Sequence, residues 1–366
     1  MPQVSILMCV YNGETHLREA IESILNQTLQ DFEFIIVNDG STDSTLSIIQ
    51  HYQGIDSRIK LIENEINLGL EKSLNKGLQA VTGEYFARQD ADDVSLPTRL
   101  EQQVHYLTKY PEVGAIGTAV ESINQQGDRI GQDVPPTDHD ALEALFLFNN
   151  FMHHSTLMAR FSLIQAIGGY DATQRRAEDY DLWWRLSQQA KVANLPEILL
   201  KRRLDDAPRI STIYRKDQLH CSYAIAVRSI QTVMPKPLAE ASYQKLWWAL
   251  LEPIDRTSYE QYWHKDQGLS GDISQADIQA LRNFWDFLIQ HPGGQPSWGP
   301  MLEKLVWRLL IRQKTIAALS LLKICLQLHH PINWFKMGQY FLKPYLPVAA
   351  LGLWKEARLS MSSVSK

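Results

Sequence analysis

The 366-residue sequence lacks a cysteine framework, a long uncharged apolar run and an excess of positive charge. Its three cysteines, Cys9, Cys221 and Cys325, are widely separated and show no CxxC or Cys/His ligand spacing. A disulfide framework and a zinc site are therefore not expected, and a reducing compartment fits best. The net charge of −5 argues against a nucleic-acid partner, because phosphate contacts need clustered Lys and Arg.

Membrane-spanning and targeting segments are also missing from the pattern. No apolar stretch reaches the ~18 residues that a spanning helix needs, and Lys323 interrupts the longest candidate. The chain enters an apolar run with no basic segment before it, so no signal peptide is predicted. We expect a soluble or peripheral protein on the cytoplasmic side, with the inner face of the plasma membrane as the surface it would contact.

What the first two hundred residues do contain is a regular alternation of short apolar runs and amphipathic segments of helical length. The predicted strands are Val4–Val10, Phe32–Val37, Ile59–Ile62 and Tyr85–Arg88. This alternation predicts an α/β domain over residues 1–215, with a doubly wound, mostly parallel sheet covered on both faces.

Beyond about Arg215 the sequence becomes Trp-rich and loses the strand pattern, which predicts a helical region over residues 216–366. After Met301 Lys and Arg far outnumber Glu, and aromatic residues lie between them. Basic, aromatic helices of this kind suit the surface of an anionic membrane. Helices that pack against the preceding domain show the same amphipathic pattern, so both interpretations stay open.

A run of carboxylates follows the fourth predicted strand at Asp90, Asp92 and Asp93. If the strand continued, Asp90 and Asp92 would point to one side, because side chains alternate along a strand. Two carboxylates aimed at one place repel each other unless a cation lies between them, and an all-oxygen site suits Mg²⁺ or Mn²⁺. The alternative is a loop in which these residues only end the strand.

Two further residues follow predicted strands, and in an open parallel sheet ligands bind beyond the carboxyl ends of the strands. Asp39 follows the second strand, where its carboxylate could accept a hydrogen bond from a base N–H. Tyr11 follows the first strand, where its ring could stack on a base. The alternatives are ordinary turn chemistry for Asp39 and core packing for Tyr11.

A second acidic cluster is Glu178-Asp179-Tyr180-Asp181, which precedes an apolar helical segment. Acidic residues stabilise a helix N-terminus through its dipole, and this is the simple explanation. The turn at Gly168-Gly169-Tyr170-Asp171 could instead place this helix end across the crevice, where a carboxylate could take a proton from an acceptor hydroxyl. His153 and His154 fit a structural or acceptor-contacting role better than a metal site.

Taken in order, these motifs resemble family 2 glycosyltransferases of the GT-A fold, whose nucleotide-binding half is Rossmann-like. The resemblance covers about the first 210 residues and rests on Val4-Ser5-Ile6-Leu7, Tyr11-Asn12, Asn38-Asp39-Gly40-Ser41-Thr42-Asp43, Asn67-Leu68-Gly69, Gly83-Glu84-Tyr85, Asp90-Ala91-Asp92-Asp93, Gly168-Gly169-Tyr170-Asp171 and Glu178-Asp179-Tyr180-Asp181-Leu182-Trp183.

The resemblance implies a role for each matching residue. Tyr11 and Asp39 would hold the nucleotide base, usually uracil. Asp90 would lie near the ribose and the metal, and Asp92 would be the principal ligand of Mg²⁺ or Mn²⁺. Asp179 would be the catalytic base.

The sequence departs from the family where a Tyr-Arg-x-His segment often follows a Leu-Pro-Glu turn. Here Leu195-Pro196-Glu197 precedes Lys201-Arg202-Arg203 with no His, so Arg202, Arg203 or Arg209 could hold the phosphates instead. Glu178 and His154 are further candidates for acceptor or phosphate contacts.

The implied activity is transfer of one sugar, with inversion, from a nucleotide sugar, expected to be a UDP-sugar. The acceptor would be a glycan, a lipid-linked saccharide or a protein, in surface polysaccharide or glycoconjugate synthesis. No Gln-x-x-Arg-Trp segment or spanning helices follow, so the resemblance is to enzymes of single addition and not to processive synthases. The alternatives are an inactive nucleotide-sugar-binding or scaffold protein and a nucleotidyltransferase of related fold.

Overall fold

The computed structural model describes residues 1–147, 149–204 and 215–233. All of them belong to Met1–Pro237, the first of two compact units, and the second unit is Leu238–Lys366. The domain boundary predicted at residue 215 stays a prediction. The predicted helical region, 216–366, lies outside the described residues beyond Val233. In the described ranges no helix has both the length and the apolar character needed to cross a bilayer.

The described chain folds into one mixed sheet with helices on its faces. The strands are β1 (Val4–Val10), β2 (Phe32–Asn38), β3 (Ile59–Glu63), β4 (Tyr85–Gln89), β5 (Val94–Ser95), β6 (Val113–Ile123), β7 (Arg129–Asp133), β8 (Met158–Arg160) and β9 (Lys191–Arg203). The helices are α1 (Leu17–Leu25), α2 (Thr45–Ile55), α3 (Leu70–Leu78), α4 (Arg99–Lys109), α5 (His139–Phe146), α6 (Phe161–Ala166), α7 (Glu178–Ser187) and α8 (Arg215–Val233), with a 3₁₀ turn at His154–Thr156.

The first four strands form the predicted doubly wound, parallel half of the sheet. They lie in the order β3-β2-β1-β4, and each neighbouring pair is parallel. Because they are parallel, β1, β2 and β4 present their carboxyl ends at the same edge. The strand order reverses between β1 and β4, and a ligand crevice is expected at such a point.

The centre of the sheet, at β1 and β2, is buried because helices cover both of its faces. Every residue of β1 and β2 is buried, which is the pattern of strands in a parallel sheet covered on both sides. One face of α1 joins the core through Leu17, Ile21 and Ile24. On α3, Gly77 permits close helix–strand contact, since a Cβ at this position would lie 2.3 Å from Leu7 Cδ1.

The second half of the sheet is mixed and contains strands that the sequence pattern did not predict. The short β8 pairs antiparallel with both β4 and β6, while β6 pairs parallel with β9. Pro196, which suggested a turn, lies inside β9. The register there jumps from Thr118 opposite Leu195 to Ala119 opposite Ile198, so the proline occupies a bulge where no ladder N–H is required.

Candidate active site

A cleft of about 730 Å³ opens beside the carboxyl end of β4, a volume within the usual range for small-molecule sites. The predicted site residues that line it are Asp90, His154, Asp179 and Arg202. They come from the end of β4, the 3₁₀ turn, the first turn of α7 and the end of β9. Tyr11 and Asp39 lie elsewhere on the same edge, after β1 and at the end of β2.

Asp39 organises the loop that precedes α3. Its Oδ1 accepts hydrogen bonds from Asn64 Nδ2 at 2.7 Å and from the Leu68 N–H at 2.9 Å, and its Oδ2 accepts the Gly69 N–H at 3.0 Å. The side chain is 4% exposed. Since a carboxylate has about four lone-pair sites, Oδ2 keeps one for a further donor.

Tyr11 is 49% exposed on the loop after β1. Two hydrogen bonds join this loop to the loop after β2: the Asn12 N–H donates to Ser41 Oγ at 3.0 Å, and the Thr42 N–H donates to Asn12 Oδ1 at 2.8 Å. The exposed ring therefore stands on a fixed loop rather than in the core, and the core-packing alternative for Tyr11 is wrong.

The aspartate run after β4 divides into two parts. Asp93 is 2% exposed and accepts hydrogen bonds from the Arg203 N–H at 2.9 Å and from the Ser155 hydroxyl. Burial, followed by the charges of Asp92 and Asp90, raises the pKa of Asp93 to about 8. Asp90 and Asp92 are only half-buried, so these two residues are the ones that can meet a ligand at the edge.

Arg88 lies under the aspartate run on β4, and its side chain is 1% exposed. Its Nη2 pairs with Asp90 Oδ1 at 2.6 Å, and its Nη1 donates to the Leu7 carbonyl at 3.3 Å. Burial by itself would raise the pKa of Asp90, but the Arg88 charge holds that pKa below its ordinary value. Asp90 is therefore ionised, and the ion pair with the buried Arg88 guanidinium holds its carboxylate in place.

Asp179 lies in the first turn of α7, and its Oδ2 accepts a hydrogen bond from Asn150 Nδ2 at 2.7 Å. Burial raises the pKa of Asp179 to about 6, opposed by hydrogen bonds from the Tyr180 N–H and Asn150 and assisted by the charge of Asp90. Burial, and then the charge of Asp179, raises the pKa of Glu178 to about 8. Asp179 consequently ionises first of the two neighbours.

The Gly168-Gly169 turn places Tyr170 beside His154, with His154 Nε2 2.8 Å from the Tyr170 hydroxyl. Asn75 on α3 fixes this turn, because it accepts the Tyr170 N–H at 2.9 Å and donates to the Tyr170 carbonyl at 2.8 Å. Gly169 has φ +71° and sits where a Cβ would lie 2.7 Å from Asn75 Oδ1. Burial, followed by the Arg88 charge, lowers the pKa of His154 to about 3, so His154 is neutral.

The two arginines at the end of β9 take different positions. Arg203 is 2% exposed, and its guanidinium donates to the carbonyls of Asp92, Asn124 and Gln125 and pairs with Glu19. These bonds brace the aspartate loop, and a phosphate contact for Arg203 stays a prediction. Arg202 lines the cleft with its Nη1 3.0 Å from His153 Nδ1. Arg209 lies outside the described residues.

The sequence did not reveal every group in the cleft. Asn150 lies in a loop with no recognisable motif, and α8 adds Gln218, Leu219 and Ser222. This helix is joined to α7 by the ion pair between Arg228 and the fully buried Asp181. Such contacts link distant parts of the chain, so no local pattern could have identified them.

Solved structures with similar folds place this architecture among the GT-A glycosyltransferases. S. aureus TarS residues 1–349, in complex with UDP-GlcNAc, aligns with a TM-score of 0.58 at 16% identity, covering 93% of this chain and 92% of TarS 1–349. The mannosyltransferase PcManGT of Pyrobaculum calidifontis, in complex with GDP-Man and Mn²⁺, aligns with a TM-score of 0.51 at 18% identity, covering 84% and 86%. The predicted GT-A fold is confirmed.

Sequence comparison gives the family. Residues 5–168 match the family model Glycosyl transferase family 2. An uncharacterized glycosyltransferase of Haemophilus influenzae is 38% identical over 227 residues, covering 59% of this chain and 70% of the relative. The putative glycosyltransferase EpsE of Bacillus subtilis is 40% identical over 208 residues, covering 56% and 74%. The O-antigen biosynthesis glycosyltransferase WbnJ of Escherichia coli is 34% identical over 208 residues, covering 56% and 80%. With this fold and these relatives, the chain belongs to glycosyltransferase family 2 and is a glycosyltransferase.

Proposed function

We propose that this enzyme transfers a single sugar with inversion from a UDP-sugar to a saccharide, lipid-linked or protein acceptor, in surface polysaccharide or glycoconjugate synthesis. The observation that carries the proposal is one cleft lined by Asp90 from the nucleotide edge and by Asp179 from α7. The O-antigen role of WbnJ and the UDP-GlcNAc complex of TarS support it. Cytoplasmic location and membrane contact through the C-terminal region remain predictions.

The donor nucleotide would bind along the edge formed by β1, β2 and β4. Asp39 Oδ2 would accept the N–H of uracil, and the exposed Tyr11 ring would stack on the base. Asp90 would lie toward the ribose, held in place by Arg88. This arrangement follows the rule that ligands bind where the strand order of an open sheet reverses.

The carboxylates at this edge fit a divalent cation that binds together with the donor. The charges of Asp90 and Asp92 raise the pKa of Asp93, and the charge of Asp90 raises the pKa of Asp179, so negative charge is concentrated here. Among the described residues no three His, Cys, Asp or Glu side chains are grouped to hold a metal. Mg²⁺ commonly takes one or two carboxylates together with substrate phosphates, so Asp92 and Asp90 suffice.

When bound, Mg²⁺ or Mn²⁺ would neutralise the charge that develops on the departing diphosphate. Asp179 would take the proton of the acceptor hydroxyl while that oxygen bonds to the anomeric carbon and the bond to the diphosphate breaks. Attack on the face opposite the diphosphate inverts the anomeric centre. Glu178 is protonated at neutral pH by its raised pKa of about 8, which leaves Asp179 as the ionised member of the pair, and a substrate contact for Glu178 stays a prediction.

The proposal is tested by incubating the full chain with UDP-GlcNAc, UDP-glucose, UDP-galactose or GDP-mannose in Mn²⁺, Mg²⁺ or EDTA. We expect slow release of UDP from at least one UDP-sugar, with loss of release in EDTA. A rise in the thermal unfolding midpoint with UDP-sugar but no turnover would identify an inactive binding protein. Pyrophosphate release from UTP and a sugar 1-phosphate would identify a nucleotidyltransferase.

Substitution of Asp39 tests base recognition. Asp39→Ala should weaken UDP binding by about 1–3 kcal/mol, the cost of losing a hydrogen bond to a charged group, as measured by calorimetry. Asn64→Ala is the matched control, because it removes a bond to Asp39 Oδ1 while keeping the carboxylate. Equal losses in the two variants would show that Asp39 acts only by holding the loop before α3.

A further inference from the structure

Asn150 lies in the loop between α5 and the 3₁₀ turn, and both ends of its side-chain amide are bonded. Its Oδ1 accepts the Met152 N–H at 2.9 Å, and its Nδ2 donates to Asp179 Oδ2 at 2.7 Å. Because a backbone N–H can only donate, the oxygen of the amide must face Met152. The amide nitrogen is thereby committed to Asp179.

The Asp179 carboxylate is consequently held at both oxygens. Its Oδ1 accepts the N–H of Tyr180 at 2.7 Å, within the same helix, and its Oδ2 accepts Asn150. A carboxylate has about four lone-pair sites, so Oδ2 can accept a second donor from the cleft. The bond from Asn150 therefore restricts rotation of the carboxylate without occupying all of its acceptor sites.

The loop that carries Asn150 is itself attached to α7. The Tyr180 hydroxyl donates to the Phe146 carbonyl at the end of α5. Residues 149–155 follow this attachment and line the cleft continuously. The amide of Asn150 is thus presented to Asp179 from a wall of the cleft, and not from a side chain that swings in solvent.

We propose that Asn150 is a positioning residue for sugar transfer, which fixes the Asp179 carboxylate in the orientation that receives the proton of the acceptor hydroxyl. The inference rests on the proposed role of Asp179 as the base. Asn150 itself touches Asp179 and need not touch either substrate.

The electrostatic surroundings of Asp179 increase the importance of this bond. Asp90 faces it from the end of β4, Glu178 adjoins it on α7, and Tyr170 lies near it on the preceding turn. Of these groups Asp90 is ionised, and its charge disfavours ionisation of Asp179. Glu178 and Tyr170 have raised pKa values and are neutral in the range where Asp179 titrates. The Asn150 amide and the Tyr180 N–H favour the ionised form, since a hydrogen bond to the charged form lowers an acid's pKa.

The test uses the full chain with Asn150→Ala, Asn150→Asp and the control Asn149→Ala. Asn149 lines the same cleft, and its described hydrogen bond runs from its backbone N–H to the Leu145 carbonyl at 3.0 Å. UDP release from the donor selected above is measured from about pH 5 to about pH 9, together with the KM for donor, UDP affinity and the thermal unfolding midpoint.

We expect Asn150→Ala to lower kcat about tenfold or more at neutral pH, which is the scale of a lost hydrogen bond to a charged group. The acidic limb of its pH–rate profile should move to higher pH, with UDP affinity unchanged. Asn150→Asp should shift the limb further, because two adjacent carboxylates resist double ionisation, and activity should recover as pH rises. Asn149→Ala should leave the acidic limb at the wild-type pH whatever its effect on the rate, because the described amide bond to Asp179 comes from Asn150.

An unshifted acidic limb in both Asn150 variants would overturn the inference, even if their rates fell. An equal shift of the acidic limb in Asn149→Ala would also overturn it, by assigning the effect to the loop as a whole. If Asn150→Ala fails to fold, the nearly isosteric Asn150→Asp still decides the question through its profile. Failure of the base assignment itself would appear separately, as normal turnover in Asp179→Asn.

Discussion

Replacement of Asp179 by Asn should lower the rate of sugar transfer about 10²–10⁴-fold, the usual contribution of a general base. The amide has nearly the same shape as the carboxylate but cannot accept the proton. The loss should therefore fall on kcat, with the affinities for donor and metal close to those of the wild type. Steady-state kinetics combined with calorimetry of UDP binding would measure both quantities.

The pH dependence of the wild-type enzyme supports the same test. Asp179 acts as a base only when ionised, and burial raises its pKa to about 6. The rate should therefore be highest above that pH and fall as the pH drops through about 6. Normal turnover in Asp179→Asn would show that the acidic cluster only stabilises the N-terminus of α7 through the helix dipole.

Glu178→Gln is the natural companion variant. Glu178 is buried, and its carboxyl is protonated at neutral pH because its pKa is about 8. A neutral amide can replace a neutral acid as a hydrogen-bond donor, so the loss of rate should be much smaller than in Asp179→Asn. A larger loss of rate in Glu178→Gln than in Asp179→Asn would identify Glu178, and not Asp179, as the base.

The parallel half of the fold could be predicted from the sequence because its information is local. β1 and β2 are mostly apolar runs, interrupted by Ser5 and Glu33, and polar residues mark the strand ends. The strands β8 and β9 of the mixed half could not be predicted in this way. β8 has only three residues. β9 contains Pro196, which suggests a turn but lies here at a bulge against β6, where the strand continues.

The candidate site shows the same division. The sequence presents three similar carboxylates after β4, and only tertiary burial turns Asp93 inward to Ser155 and Arg203. The basic segment at the end of β9 suggested phosphate contacts, yet the Arg203 guanidinium is bonded to three backbone carbonyls and to Glu19. Asn150 meets Asp179 across 29 residues of sequence, a pairing that no spacing rule predicts.

This division of the aspartate run leads to a prediction about the metal. Asp92→Ala should remove metal-dependent transfer, with a fall in rate of about 10²–10³-fold or more, the scale of losing one preorganised electrostatic stabiliser of the transition state. Asp92 is half-buried at the edge and contributes little to packing, so the thermal unfolding midpoint should hardly change. Calorimetric titration of Mn²⁺ in the presence of UDP should show weakened binding.

Asp93→Ala provides the contrasting control for Asp92→Ala. Asp93 is buried and accepts hydrogen bonds from the Arg203 N–H and the Ser155 hydroxyl. Its removal leaves buried donors without an acceptor, which costs about 1–3 kcal/mol of stability for each donor. Asp93→Ala should therefore lower the unfolding midpoint, whereas Asp92→Ala should lower Mn²⁺ affinity. Normal Mn²⁺ affinity and turnover in Asp92→Ala would remove Asp92 from the metal site and leave Asp90, paired with Arg88, as the carboxylate at this edge.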